Sequence, residues 1–269
     1  MICFPNAKIN IGLRVVEKRP DGYHNLETVF YPIGLKDALE VVPAALNTDF
    51  SIDSEGISPD ENIVTKAFRL LQSAYSLQPA ACYLRKKIPV GAGLGGGSSD
   101  GANALRIIAS MNGLDLSEQE LEQFSAQLGA DCAFFIKNNP IFASGIGTAF
   151  EKVTLSLAGY HLILVKPDIH VSTVEAYSLV KPKRPNQRLK EMIECPLDSW
   201  KETIFNDFEE PIFHKYPEIG RIKEKLYHHG AIFAAMSGSG SSVYGLFKDA
   251  VDLRSEFLDC FYWSEKLLV

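Results

Sequence analysis

The segment that most constrains this chain is Pro89-Val-Gly-Ala-Gly-Leu-Gly-Gly-Gly-Ser-Ser99. It follows an apolar stretch, Ala81 to Val90, that reads as a strand. It precedes a stretch with Ala102, Leu105 and Ala109 on one helical face, stopped near Gly113. Five glycines in seven residues, Gly91 to Gly97, exceed the one or two that an ordinary turn takes. Glycine allows positive φ and lets a ligand touch the backbone. A strand-to-helix setting also brings unpaired N–H groups and the helix dipole to the loop's end, an arrangement that holds an anion. Ser98 and Ser99 can cap that helix, bond a phosphate oxygen or ligate Mg2+. A flexible surface loop is the alternative, and the glycine density between two strong elements weighs against it.

Two known phosphate loops can be compared. The pattern Gly-x-x-x-x-Gly-Lys-Ser/Thr fails, because Gly97 stands where the lysine belongs after Gly91 and Gly96. The dinucleotide fingerprint matches at Gly91, Gly93 and Gly96, but it calls for a second strand ending in an acid. Here Ser117-x-x-Glu120 is a capping box that opens another helix, with Leu121, Phe124 and Leu128 on one face and Gly129 at its end. The dinucleotide reading, a nicotinamide or flavin oxidoreductase, is therefore the runner-up among phosphate loops.

The rest of the chain reads as mixed structure. Ala7 to Val16, Leu26 to Leu35 and Ala38 to Val42 look like strands, with a turn at Asp21-Gly22. Glu61 to Tyr75 carries Ile63, Ala67, Leu70, Leu71 and Ala74 at helical spacing. After a soft boundary near 150–160 come a strand over Tyr160 to Val165 and a basic loop, Lys181 to Pro185. A helix over Ile219 to His229 follows, then strands over Ile232 to Met236 and Val243 to Phe247 that flank Ser237 to Ser242.

With 269 residues and 46% apolar content, the chain makes one large or two modest domains and needs no disulfide or metal staple. Lys and Arg total 27 against 33 Asp and Glu, a net charge of −6 that weighs against a non-specific nucleic-acid binder. The cysteines at 3, 82, 132, 195 and 260 form no Cys-x-x-Cys pair, which weighs against a disulfide framework or a zinc site. No signal-like apolar segment follows Met1, and no run approaches the ~18 apolar residues of a membrane span. These features predict a soluble protein of a reducing cytoplasm.

Read through to Asp100, the glycine segment closely resembles the ATP loop of the GHMP kinases, the family of galactokinase, homoserine kinase and mevalonate kinase. Pro5-Asn-Ala-Lys-Ile-Asn10, Arg19-Pro-Asp-Gly-Tyr-His24, Gly129-Ala-Asp131, Asn206-Asp-Phe-Glu209 and Ser237-Gly-Ser-Gly240 fall in the family's order. The resemblance covers nearly the whole chain. It departs at Cys132-Ala133, where many members have valine-proline, and at Ser241-Ser242, where Pro-Thr is common. It implies a two-lobed α+β fold. The N-terminal lobe, residues 1–155, would be ribosomal protein S5 domain 2-like and hold ATP; the C-terminal lobe, residues 156–269, would be ferredoxin-like. It also implies an ATP-dependent kinase using ATP and Mg2+. The Asp21-Gly-Tyr-His24 stretch implies a cytidine diphosphate polyol as the acceptor. Neither nucleic acid nor membrane is an expected partner, and the expected state is a monomer or weak homodimer.

The same resemblance implies roles for single residues. Pro89, Val90, Gly91, Ala92, Gly93, Leu94, Gly95, Gly96, Gly97, Ser98 and Ser99 would hold ATP, and Ser99 would also reach Mg2+. On its own, Asp131 could be a cap or a surface charge; the resemblance makes it the base that takes the hydroxyl proton. Lys8 lies in the apolar stretch Ala7 to Leu13, where a lysine needs a partner, and the resemblance gives it Asp131. Asn10 would bond the polyol. Tyr23 and His24 are ordinary turn residues on loop statistics, and by resemblance contact the cytidine. Thr173 would touch the polyol or base region, and Tyr177 would stack on cytosine. Ser237 to Ser242 is a tight turn that, by resemblance, packs against the glycine loop.

Overall fold

The computed structural model describes residues 1–44, 50–54 and 56–268. In chain order the strands are β1 (Ile2–Cys3), β2 (Asn6–Lys18), β3 (His24–Lys36), β4 (Ala38–Pro43), β5 (Phe50–Ser54), β6 (Ala80–Arg85), β7 (Ile141–Gly145), β8 (Ala149–Lys152), β9 (His161–Pro167), β10 (Phe233–Met236), β11 (Val243–Phe247) and β12 (Cys260–Lys266). The helices are α1 (Ile63–Ala74), α2 (Gly96–Met111), α3 (Glu118–Leu128), α4 (Phe134–Lys137), α5 (Thr173–Leu179), α6 (Leu189–Ile193), α7 (Trp200–Thr203), α8 (Glu209–Lys215) and α9 (Pro217–His228). The α+β expectation holds. The chain divides into two compact units, each drawn from several stretches of sequence.

The first unit comprises Met1–Ala7, Leu35–Val90 and Gly95–Asn139. Its sheet has the order β1-β4-β6-β5, with β5 parallel to β6 and the other pairs antiparallel. Helix α1 starts where Asn62 accepts the N–H of Val64, and it buries Val64, Ala67, Phe68 and Leu71, the i, i+3, i+4, i+7 stripe of an amphipathic helix. Helix α2 comes close to its neighbours at Gly101, where a β-carbon would lie 2.9 Å from Ile63 and 3.4 Å from Leu128. The capping box expected at Ser117 and Glu120 is present at the start of α3. The strand expected over 81–90 stops at Arg85, because the N–H groups of Lys87 and Ile88 turn to the Asp37 carboxylate instead of a neighbouring strand.

The second unit comprises Lys8–Gly34, Gly91–Leu94 and Pro140–Val269. It holds two sheets, ordered β2-β3-β7-β8 and β10-β11-β9-β12. The second sheet is antiparallel throughout and packs Ile163, Val165, Met236 and Val243 into one core with Ile219, Ile222 and Leu226 of α9. Strand β2 is buried continuously from Ala7 to Leu13. Strand alternation sets Ala7, Ile9 and Ile11 on one face and Lys8, Asn10 and Gly12 on the other. Gly12 sits at φ 65°, a left-handed conformation, and a β-carbon there would meet Leu189 and Ile204 at 2.8 and 2.9 Å. All five cysteines are free. Among the described residues no helix is long and apolar enough to cross a membrane.

Candidate active site

The first half of the glycine loop, Gly91–Leu94, belongs to the second unit and is held there by backbone contacts. Leu94 O accepts the N–H of Lys8 at 2.9 Å, which ties the loop to β2. Gly93 is at φ 78°, and a β-carbon on it would lie 2.0 Å from Ser237 O. A β-carbon on Gly240 would lie 2.3 Å from Gly93 N. The two glycine-rich turns thus meet backbone to backbone, and neither position has room for a side chain. Ser237 Oγ donates to Gly93 O at 3.0 Å.

The second turn is itself clamped. Asn206 Nδ2 donates to Met236 O at 2.9 Å and to Gly238 O at 2.8 Å. Glu209 accepts the N–H of Met236 at 2.8 Å while pairing with Lys223 at 2.7 Å. Burial raises the Glu209 carboxyl from its ordinary value, and the Lys223 ammonium opposes that rise. The Asn-Asp-Phe-Glu segment therefore serves as a buried bracket for the turn.

The loop's second half, Gly95–Ser99, belongs to the first unit. Gly95 caps α2 in the left-handed region at φ 69°, and Gly96 to Ser99 form the first turn of that helix. No side chain caps this end. Its first N–H groups are the unpaired donors that suit a phosphate. Behind them lies a buried ionic cluster. Lys86 Nζ pairs with Asp100 at 2.6 Å and, more closely, with Asp37, which also accepts the N–H of Lys87 at 2.6 Å and of Ile88 at 2.8 Å. Desolvation pushes the Asp100 carboxyl up to about 7 in spite of Lys86, with Asp37 adding to the rise. Asp131 lies half-buried in the turn between α3 and α4, next to the buried thiol of Cys132. Burial raises that thiol to about 11, and the Ser98 hydroxyl beside it pulls the other way.

On β2 and β3 of the second unit a polar row runs through the core. Lys8, Asn10 and Thr28 are 3%, 2% and 1% exposed. Lys8 Nζ donates to Asn10 Oδ1 at 2.5 Å and to Gly93 O at 3.4 Å, and sits 4.8 Å from the centre of the Phe30 ring. Asn10 Nδ2 donates to Thr28 Oγ1 at 2.9 Å, and Thr28 Oγ1 donates to Gly12 O at 2.6 Å. Asn10 N donates to Ser237 Oγ at 3.2 Å.

The residues expected at the cytidine end fall into pairs. The His24 and Tyr177 rings stack at 4.9 Å with 27° between planes. Tyr177 in turn meets Phe208 edge-on at 4.9 Å. Burial and the charge of Lys18 lower the His24 pKa, which favours the neutral imidazole. Thr173 opens α5 and its Oγ1 accepts from Ser239 Oγ at 3.2 Å, so it joins the second glycine turn. Tyr23 projects at 64% exposure, on a turn where Asp21 accepts its N–H and pairs with Arg19. The structure thus brings together Lys8, Asn10 and Gly93, then His24 with Tyr177, and Thr173 with the second turn. Lys8 and Asp131 belong to different units.

Ser99, the expected magnesium contact, is fully buried, with Asn103 Nδ2 3.5 Å from its hydroxyl. Among the described residues no group of three or more His, Cys, Asp or Glu side chains gathers as metal ligands. Magnesium takes one or two carboxylates together with phosphate oxygens and water. A single buried hydroxyl does not fit it.

Sequence reading missed Thr28, Asp37, Lys86 and the bracketing role of Asn206 and Glu209. Asp100 and Lys86 carried one signal: two charged residues flank the apolar and glycine-rich stretch that makes the loop. The dinucleotide alternative fails its structural test here, because α2 is followed by α3 and α4 and not by a strand.

Comparison with known proteins matches two family models, the GHMP kinases N terminal domain over residues 62–139 and GHMP kinases C terminal over residues 186–262. A 4-diphosphocytidyl-2-C-methyl-D-erythritol kinase of Parabacteroides distasonis is 53% identical over 99% of this chain and 100% of its own length. One of Bacteroides fragilis is 56% identical over 92% of each chain. A crystal structure of 4-(cytidine 5'-diphospho)-2C-methyl-D-erythritol kinase superposes with a TM-score of 0.84 at 29% identity, covering 98% of both chains.

Proposed function

This chain belongs to the GHMP kinases, and from that premise we propose that it transfers the terminal phosphoryl group of ATP to the 2-hydroxyl of 4-diphosphocytidyl-2-C-methyl-D-erythritol. The observation that carries the proposal is the 53% identity, end to end, with a kinase of that name. The local geometry agrees with it. Phosphoryl transfer asks for positioning and charge neutralisation more than for covalent help, and the residues here offer both.

In this reading Pro89 to Ser99 hold ATP, with the α2 N-terminus taking phosphate oxygens. The Lys8 ammonium neutralises charge at the transferred group. Asp131 takes the proton of the acceptor hydroxyl, and Asn10 orients the polyol. His24 and Tyr177, already stacked, grip the cytosine, Tyr23 contacts the cytidine head group, and Thr173 touches the polyol or base region. Magnesium would be supplied together with ATP, and none of these residue roles is routed through it. The lobes are taken as residues 1–155 and 156–269; the two family-model matches, at 62–139 and 186–262, fall on either side of that division. The expected setting is a reducing cytoplasm, in keeping with five free cysteines, and the expected state a monomer or weak homodimer.

An ADP-coupled assay with purified protein, ATP–Mg2+ and three acceptors tests the activity. Turnover is expected with the diphosphocytidyl polyol and not with mevalonate or homoserine. Preference for either of those two, or no turnover with any, overturns the proposal.

A further inference from the structure

Thr28 was not a candidate on sequence grounds, yet it ends a one-way chain of hydrogen bonds that begins at Lys8. A threonine hydroxyl has one hydrogen to give and two lone pairs to accept with. The hydrogen of Thr28 goes to Gly12 O at 2.6 Å, an atom that can only accept. What Thr28 offers Asn10 is therefore a lone pair, and the group that uses it is the Asn10 NH2, at 2.9 Å. With the NH2 committed to Thr28, the amide oxygen faces the other way, onto Lys8 Nζ at 2.5 Å. An ammonium has three donors and no acceptor, so an oxygen is the only end of the amide it can use.

We propose that Thr28 is a positioning residue for Lys8, setting which way round the Asn10 carboxamide sits and so presenting the ammonium with an oxygen. The inference rests on the reading of Lys8 as the cation at the transferred phosphoryl group.

Three further observations narrow what else could fix that amide. The Asn10 backbone is held independently, its N–H by Ser237 Oγ at 3.2 Å and its carbonyl by Tyr244 OH at 3.0 Å, so the side-chain orientation is what Thr28 determines. Gly12 sits at φ 65° with Leu189 and Ile204 filling the space a β-carbon would take, and in that conformation its carbonyl accepts from Thr28 at 2.6 Å. Finally, Lys8, Asn10 and Thr28 are all buried, which leaves little water to accept from the ammonium if the amide turns. Thr28 reaches the chemistry only through Asn10 and Lys8.

The test compares wild type with Thr28→Val, close in shape but without the hydroxyl, and Thr28→Ser, which keeps it. Thr28→Val is expected to lower kcat roughly tenfold to a hundredfold, the range for one buried polar group left unsatisfied, with KM for ATP within about twofold. Thr28→Ser should recover kcat to within about threefold. In an Asn10→Ala background, Thr28→Val should add little further loss, because its effect runs through that amide. If Thr28→Val does not fold by circular dichroism, Thr28→Cys has a similar volume and a much weaker hydrogen bond and replaces it. A fold-competent Thr28→Val or Thr28→Cys with near-wild-type kcat overturns the proposal, as does a loss that Thr28→Ser fails to restore. A second readout needs no turnover: the Asn10 side-chain NH2 protons should exchange slowly with water in wild type and faster in Thr28→Val. Equal exchange in both sinks the inference whatever the substrate proves to be, whereas a wild type inactive on the diphosphocytidyl polyol sinks only the functional reading.

Discussion

Ser237 donates its hydroxyl to the carbonyl of Gly93 across 144 residues of sequence, and its own Oγ accepts the backbone N–H of Asn10. One side chain, 0% exposed, thereby joins the glycine loop to the strand that carries Lys8. The position of the loop is fixed from outside it, and that separates the roles of its glycines.

Gly93 and Gly97 should behave differently when replaced by alanine. At Gly93 the φ of 78° and a 2.0 Å approach to Ser237 O leave no place for a methyl group. Gly93→Ala should lower the urea midpoint clearly, because both strain and displacement oppose it. Gly97 has nothing within 4 Å of its would-be β-carbon and lies in the first turn of α2, so alanine there should keep or slightly raise stability. If backbone at Gly97 meets ATP, Gly97→Ala should raise KM for ATP while the fold stays intact. Equal midpoints for the two variants would contradict the packing argument.

Asn206 uses its whole amide: two hydrogens on Met236 O and Gly238 O, and its oxygen on Phe208 N. Asn206→Asp keeps the shape and turns two donors into an acidic group facing two carbonyls. Unsatisfied buried groups cost about 1–3 kcal/mol each, so a loss on the order of 3 kcal/mol is expected by urea unfolding, together with a raised KM for ATP as the Ser237 turn loosens. An unchanged midpoint would mean that the bracket does not hold the turn.

These brackets mark the limit of what the sequence discloses. The glycine loop and the Ser117 capping box are local patterns, and each stands where its spacing puts it; α1 forms as its period predicts, but its buried face is Val64, Ala67, Phe68 and Leu71, with Ile63 and Leu70 half-buried and Ala74 exposed. The burial of Lys8 was legible from its apolar neighbours on β2. The partners of Lys86 were not: Asp37 lies 49 residues away, and the two meet only through the register of β4 with β6. Strand β12 escaped notice because it is half exposed at a sheet edge, with no clean alternation. Helices α6 and α7, of five and four residues, are too short to show a helical period. Thr28 reads as any hydroxyl residue in a strand until Gly12 and Asn10 are placed on either side of it.

Asp100 gives the stability a specific pH dependence. Its folded pKa, pushed up to about 7 by desolvation, lies above the ordinary 3.8, so the folded state binds this proton more tightly than the unfolded chain. That contribution is complete below about pH 4 and is lost as pH rises through about 7. The groups that face Asp100 are Lys86, Asp37 and the Cys3 thiol. The stability of wild type relative to Asp100→Asn should therefore fall across that window, by at most about 1.4 kcal/mol per pH unit. A difference that stays flat from pH 4 to pH 8 would show Asp100 ionised throughout.

The His24–Tyr177 stack should act on the acceptor and not on ATP. Base–aromatic stacking is worth roughly 1–3 kcal/mol in nucleic-acid systems, so His24→Ala or Tyr177→Leu should raise KM for the cytidine substrate about tenfold to a hundredfold. KM for ATP should move less than about threefold. Because burial and Lys18 lower the His24 pKa, that KM should also hold steady as pH falls through the ordinary histidine value of 6.5. Equal effects on both substrates would make these rings part of the fold alone.

The last prediction concerns the proton. Lys8 sits in a buried strand with Asn10 Oδ1 and Gly93 O as acceptors, and Asp131 sits half-buried in the turn that follows α3. If Asp131 takes the acceptor's proton, Asp131→Asn removes that capacity while keeping size and shape. General-base help is typically worth about 10²–10⁴ in rate. A loose transition state puts little charge on the attacking oxygen, which favours the lower end of that range. The expected result is a kcat reduced by about a hundredfold or more, with both KM values within a few-fold, since an interaction made mainly in the transition state leaves ground-state binding nearly alone. Lys8→Met should lower kcat too, and should also raise KM for ATP or the cytidine substrate, because it takes a positive charge from an anionic site. The two variants thus differ in KM more than in kcat. Steady-state kinetics on protein shown to be folded by circular dichroism separates them. Near-wild-type turnover in Asp131→Asn would leave Asp131 an orienting residue and return the proton to solvent or to ATP itself.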